Sequence, residues 1–313
     1  MTCHSCRVAC KRFGKHPNGR QRFRCRQCGR TFTQPGQLDE MRLSLDKAET
    51  ILKMLVEGCS IRSIERLTEV HRDTILKLLV LAGERCEKLM GHLIVNVPVR
   101  FVQADEVWQY LYCKERNRPM GRENDATIGD FYCFVAIDQE SKLVLNFALG
   151  KRNQATTNAF IEGLRAATSR QWYQLTTDGF QPYIQAIDST LSDRVDYGML
   201  IKTYAAPQEG ETRYSPPEVV DTTKKAILGD PDPAKICTSH IERQNLTMRM
   251  QIRRMTRLTN AFSRKFENHW AALCLHFAWY NFVRVHRTLR VTPAMEAGIA
   301  DHIWTVRELI EAR

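Results

Sequence analysis

Two close cysteine pairs, Cys3-His4-Ser5-Cys6 and Cys25-Arg26-Gln27-Cys28, constrain this chain more than any other feature. Each CxxC can turn back on itself and present two thiolates to one ion, and two such knuckles complete the tetrahedron of a closed zinc site. Between them Gly14, Pro17, Asn18 and Gly19 mark turns, and Arg22-Phe23-Arg24 reads as strand. So little apolar material lies here that the segment needs a staple to fold. A zinc ribbon over residues 1–37 is therefore expected, with one structural Zn²⁺ on Cys3, Cys6, Cys25 and Cys28. Cys10, His4 and His16 are substitute ligands. A redox CxxC would need a βαβ context, and none is visible. The remaining cysteines, Cys59, Cys86, Cys113, Cys133, Cys237 and Cys274, are scattered and read as small buried hydrophobes.

Residues 45–95 read as three short helices of a helix-turn-helix. Leu45, Ile51, Leu52 and Leu55 keep helical spacing up to Gly58. Ser60 suits the cap of a second helix carrying Ile61, Ile64 and Leu67, and after a turn at Glu69-Val70 a third begins near His71 with Ile75, Leu78 and Leu79. Its outer face offers Arg72, Asp73, Thr74 and Lys77 to a DNA groove. Many such turns place Gly where this chain has Glu69, because Gly eases a positive φ. A plain helical bundle gives the same periodicity. The net charge of +11 favours a polyanionic partner, and the basic residues cluster: Arg20, Arg22, Arg24, Arg26 and Arg30, then Arg249, Arg253, Arg254, Arg257, Arg264 and Lys265.

From about residue 98 the pattern becomes α/β. Phe101 to Asp105 is an apolar strand ending in an acid. Tyr132 to Asp138 and Leu143 to Phe147 are strands joined by a tight turn. A helix over about Ala155 to Ala167 follows, then a strand Gln174 to Asp178 that also ends in an acid, a helix through Tyr183, Ile184 and Ile187, and a strand Tyr197 to Tyr204. Residues 205–235, rich in Pro, Gly and charge, read as an insertion or mobile loop, and His240 to Arg254 as a helix bearing Glu242. Trp270 to Tyr280 reads as a core helix, and 301–313 as a C-terminal helix.

This order matches a ribonuclease-H-like fold, and the chain resembles DDE transposases of bacterial insertion sequences, most closely the insertion-sequence-one type. The resemblance rests on Gly29-Arg30-Thr31-Phe32, Ala104-Asp105-Glu106-Val107-Trp108, Thr177-Asp178-Gly179 and Ser239-His240-Ile241-Glu242-Arg243-Gln244-Asn245. Tyr280-Asn281-Phe282, His286-Arg287-Thr288-Leu289 and Thr292-Pro293 add to it. It implies a catalytic domain over 98–300 in which Asp105, Asp178 and Glu242 hold two Mg²⁺ or Mn²⁺ ions. Such a pair activates an attacking oxygen and stabilises a leaving one. The implied reaction is hydrolysis at a transposon end, then attack of the freed 3′ hydroxyl on target DNA, without a covalent protein–DNA intermediate. The implied partners are terminal inverted repeats and target DNA, bound by a homodimer or higher oligomer. Asn245 and Arg249, at helical spacing from Glu242, are candidates for the scissile phosphate or its neighbours, and Arg253, Arg254 and Arg257 for the DNA backbone.

Rivals remain. Glu106 adjoins Asp105, although successive strand residues face opposite ways, so only one is expected in the site. Asp138 and Asp188 compete for the second position. Tyr280, His286 and Arg287 supply the residue types of a tyrosine recombinase, a reading that leaves the ordered acids unexplained. A non-enzymatic alternative is a zinc-ribbon, helix-turn-helix regulator. No run of about 18 apolar residues suggests a membrane span, and the first residues lack a secretory core, so a cytoplasmic, nucleoid-associated protein is expected.

Overall fold

A computed structural model describes residues 1–3, 5–15, 21–33, 38, 41, 43–205, 219–257 and 259–312. His4, His16, Arg20, the turn residues Pro17, Asn18 and Gly19, and Pro207 lie outside the described residues. The chain forms two compact units, residues 1–50 and 51–313.

The first unit carries a three-stranded antiparallel sheet of β1 (Cys10–Lys15), β2 (Gln21–Cys25) and β3 (Thr31–Thr33). Phe23 pairs with Phe32 across β2 and β3, while Arg22 and Arg24 stack on the Phe13 ring with their guanidinium carbons 5.5 and 5.3 Å from its centroid. Of this unit's described apolar side chains few are buried, and two of those are Cys3 and Cys25. The expectation of a ribbon that leans on a staple fits that thin interior.

α1 spans Leu45–Val56, α2 Ile61–Thr68 and α3 Arg72–Leu93. Ser60 caps α2 by accepting the Ser63 N–H at 3.1 Å, as its position predicted. Glu69 adopts the left-handed conformation that usually selects Gly, with φ 57°, and its N–H closes the helix onto the Glu65 carbonyl at 2.9 Å. Leu67, read from spacing as apolar-face, is 66% exposed. At 22 residues α3 outruns a usual recognition helix, and its second half packs on α7 (Phe266–Ala278). Gly83 permits that approach, since a Cβ there would sit 2.5 Å from the Ala271 Cα.

A six-stranded mixed sheet organises the rest, in the order β6-β5-β4-β7-β8-β9. Its strands are β4 (Phe101–Leu111), β5 (Gly129–Asp138), β6 (Val144–Gly150), β7 (Tyr173–Thr177), β8 (Val195–Tyr204) and β9 (Val219–Leu228). β4 to β6 form an antiparallel meander, and β7 and β8 join β4 in parallel. That is the ribonuclease-H-like arrangement, here extended by one antiparallel strand. The extension lies inside the segment read as an insertion or mobile loop: residues 219–228 pair with β8 as a regular strand. α4 (Gln154–Ala167) and α5 (Pro182–Leu191) pack together, with α4 on β6, and α6 (Ser239–Gln251) lies against β4 and β5. α6 stops at Gln251, so Arg253 and Arg254 sit in a separate 3-10 turn, Arg253–Met255, rather than on the helix predicted to reach them.

α7 buries the aromatic stretch read as core and runs into a wider turn, Trp279–Val283. There Asn281 is fully buried: its Oδ1 accepts the Val144 N–H at 3.0 Å and its Nδ2 donates to the Val144 carbonyl at 2.9 Å. The Tyr-Asn-Phe motif thus ties α7 to the start of β6. α8 (Pro293–Glu296) and α9 (Val306–Glu311) complete the chain. Among the scattered cysteines, Cys86, Cys133 and Cys274 are buried, while Cys59, Cys113 and Cys237 are partly exposed. No helix among the described residues is long and apolar enough to cross a membrane.

Candidate metal centres

The four predicted thiols converge: sulfurs of Cys3, Cys6, Cys25 and Cys28 lie within 4.8 Å of one another, with Cys3 and Cys28 at 3.6 Å. Each pair forms a knuckle in which the backbone N–H of the second cysteine points at the sulfur of the first, Cys6 to Cys3 at 3.4 Å and Cys28 to Cys25 at 3.5 Å. The backbone N–H of Cys28 and of Gln27 pull the Cys25 thiol down to about 6, while hydrogen bonding to Cys28 pushes Cys6 up to about 12. Four soft donors at this spacing fit a zinc ion, and N–H···S bonds of this kind orient its ligands.

The second centre assembles at a split in the sheet. Parallel pairing between β4 and β7 ends at Gln103 and Thr176. Beyond that point the strands part, and Asp105, Glu106 and Asp178 meet in the gap with carboxylate oxygens within 4.8 Å of one another. Asp105 and Asp178 come together as predicted. Glu106 does too, against the expectation that it would turn away. Alternation still holds for the backbone: Asp105 is held from the α6 side, where Asn245 Nδ2 donates to its Oδ2 at 2.7 Å, and Glu106 from the α5 side, where Tyr183 OH donates at 3.2 Å. A gap between strands is reachable from both faces, so alternation does not separate the two acids there.

Burial is the largest influence on all three carboxyls. It pushes Asp105 up to about 7, aided by the charges of Asp178 and Glu106, and Glu106 up to about 7, aided by Asp178. Asp178 is raised as well, against the pull of the Phe180 N–H, which donates to its Oδ1 at 3.1 Å. Three crowded carboxylates that resist ionising together present the hard oxygen donors a divalent cation takes. The donor set fits Mg²⁺ or Mn²⁺.

Glu242, the third predicted acid, sits in the first turn of α6 outside this cluster. Its carboxylate pairs with Lys202 of β8 and accepts the Thr238 hydroxyl at 2.5 Å. Its charge still reaches Asp105, whose proton affinity it raises. Two cations were missed by the sequence reading, Lys202 and Arg152. Arg152 donates from Nε to Glu106 at 2.6 Å, brings Nη2 to 3.8 Å from Asp178, and stacks on Phe180 at 3.9 Å. Neither stands in a motif; only the fold brings them here.

Asp138 is a turn residue: one carboxylate oxygen accepts the Ser141 N–H at 2.7 Å and hydroxyl at 2.6 Å. Asp188 is exposed on α5 and outside the cluster. Tyr280 is 4% exposed and burial raises its pKa, which removes it as a nucleophile. Among the proposed DNA contacts, Arg72, Lys77 and Arg257 are exposed. Asn245 is committed to Asp105, and Arg249 lies close enough to feel that carboxyl, with burial drawing the guanidinium down to about 10.

No protein-family model matches the chain, and no curated protein matches it. Among solved structures the chain is similar to a piggyBac transposase synaptic complex with hairpin DNA, at 9% identity over 88% of this chain and 71% of that one, with a TM-score of 0.42. The Mos1 strand transfer complex aligns at 16% identity over 50% of this chain and 58% of that one, TM-score 0.22. A pre-cleavage Mos1 transpososome aligns at 13% over 52% and 60%, TM-score 0.22. This chain therefore spans less than two thirds of the Mos1 chains. All three TM-scores fall below 0.5, so function has to be argued from this chain's own side chains.

Proposed function

We propose that this protein is a metal-dependent DNA transposase that cuts phosphodiester bonds and joins the freed 3′ ends to target DNA. The observation that carries the reading is the acid cluster at the split between β4 and β7, on a ribonuclease-H-like sheet in a chain of net charge +11. Asp105 and Asp178 are the metal ligands, and Glu242 joins them once Lys202 releases it. A divalent ion there would supply Lewis-acid stabilisation of the phosphodiester oxygens. Asn245 fixes the Asp105 carboxylate, and Arg152 offsets part of the cluster's charge. Arg249 meets the DNA backbone near the cut, Arg253, Arg254 and Arg257 meet it farther along, Arg72 and Lys77 read the end sequence, and the zinc ribbon assists that reading. The protein works as a dimer or larger assembly on two ends.

The test is nicking of labelled DNA carrying the native element ends, with Mg²⁺ or Mn²⁺. Nicking that disappears with chelator and in Asp178→Asn supports the proposal. Tight end binding with no nicking under any metal would leave a DNA-binding regulator.

A further inference from the structure

A cavity of about 1120 Å³ opens between α2, the start of α3, the turn after α6 and α7. Its lining is strongly one-signed. Arg62, Arg72, Arg253, Arg254, Arg264 and Lys265 contribute cations, and Asp73 is the one acid among its lining residues. α2, α3 and α7 all begin at its wall, and their dipoles add positive potential there, although the Ser63 and Arg72 N–H groups are already accepted by Ser60 and Glu65.

Two groups mark it as a built site. Arg254 Nη1 donates to Ser263 Oγ at 2.8 Å, Ser263 meets His269 Nδ1 at 3.0 Å, and His269 Nε2 meets Gln109 Oε1. This relay lies almost wholly out of solvent and fixes the guanidinium in one orientation. The Arg254 Nη2 is nonetheless shielded from water and without a partner. On α7, His276 lines the cavity at 2% exposure, and neither ring nitrogen has a partner. Buried donors left unpaired cost stability, and donors that line a cavity suit an acceptor that arrives from outside. Ile61, Leu76, Phe262 and Leu275 add an apolar patch to a wall that also carries Ser60, Gln251, Asn260 and Asn268, a mixture that suits a planar, weakly polar body beside the anion.

We propose that this cavity binds a phosphate ester of a nucleic-acid strand, with Arg254 and His276 as buried donors and the exposed arginines and lysine at the rim steering the chain in. α6 links it to the acid cluster: Asn245, which holds Asp105, and Gln251, which lines the cavity, are six positions apart on this helix, roughly 9 Å at helical rise, or about three nucleotides of duplex rise. The cavity is thus a second holding point for a strand whose other part lies at the acids. The choice of a strand over a free nucleotide rests on the DNA-acting function proposed above; binding itself requires no cleavage.

The test titrates the full chain by calorimetry in chelator with 5′-phosphorylated tetrathymidylate, thymidine 5′-monophosphate and inorganic phosphate. The tetranucleotide binds, and Arg254→Met weakens it at least about tenfold, the scale of a charge-assisted hydrogen bond. Asp105→Asn binds the tetranucleotide as well as the parent or better. Equal binding by an Arg254→Met protein with unchanged circular dichroism overturns the site. Should Arg254→Met not fold, the double variant Arg264→Ala, Lys265→Ala at the exposed rim decides: weakened binding supports the site and unchanged affinity overturns it. Monophosphate or phosphate binding as tight as the tetranucleotide overturns the strand as ligand. Loss of nicking with tetranucleotide binding intact would count against the transposase reading alone.

Discussion

The cysteine cluster and the acid cluster each gather donors for a cation, but they are built in opposite ways. In the ribbon, each half of the site is made by three consecutive peptide units, and the donors are local knuckles. In the larger unit, Asp105 and Asp178 are 73 residues apart, and the fold brings them together against their own repulsion. The first cluster stabilises its surroundings when filled; the second strains them when empty. A structural ion and a working ion ask for these different constructions.

The largest effect tests the working side. Asp105→Asn and Asp178→Asn should each lower nicking by at least roughly 10³-fold while DNA binding in chelator persists, and the double variant should lose little more, because groups acting as one unit are not additive. Normal nicking by either single variant would end the metal-dependent reading. On the structural side, Cys25→Ser should abolish zinc in metal analysis and collapse the ribbon's protection from proteolysis, leaving residues 51–313 folded. Zinc retained at full occupancy in that variant would show that Cys25 is no ligand.

A finer comparison lies inside the acid cluster. If Glu242 moves in from Lys202 to take metal, Glu242→Gln should cost nicking as heavily as the aspartates, and Glu106→Gln, whose carboxylate is already engaged by Arg152 and Tyr183, should cost less. The reverse order would make Glu106 the third ligand.

Strain in the empty site has a pH signature. Folding holds protons on Asp105 and Glu106 up to about 7, whereas unfolded carboxyls release them near 4. Between those values the unfolded state binds fewer protons, so metal-free stability falls as pH rises through that window. In chelator at pH 7.5, Asp105→Asn should therefore melt several degrees above the parent, and Mg²⁺ should raise the parent but not the variant. No difference in melting would show that the cluster is not strained. The smallest effect belongs to Tyr183→Phe, which removes one 3.2 Å hydrogen bond to Glu106 and should cost about 1 kcal/mol or less.

Legibility followed the same divide. The knuckles, the Ser60 cap, the strands β4 to β8 and the acids Asp105 and Asp178 were readable because each is encoded in a few neighbouring residues, although β4 runs on to Leu111 instead of ending at Asp105 as expected. Strand β9 was not: Val219 to Lys225 is exposed throughout, so its sequence carries no apolar alternation and its pairing with β8 alone defines it. Glu106 was misjudged because alternation describes a continuous sheet, and β4 and β7 have already parted after Gln103. Arg152 and Lys202 are single cations whose role depends on acids far away in sequence. The Tyr-Asn-Phe motif was legible as a pattern but not in purpose, which Asn281 shows to be a backbone clasp.

The glycine at position 83 gives the molecule a fixed gauge. Because α3 is one unbroken helix whose outer end carries Arg72 and Lys77 and whose inner part is seated against Ala271 with no room for a methyl group, the two ends cannot slide past each other. At helical rise its 22 residues measure roughly 33 Å. On the proposed reading, bases chosen at the outer end and the bond broken at the acids are then a set length apart, written into protein rather than into DNA. Any mismatch in spacing must be absorbed by bending the duplex, which is costly over so short a span.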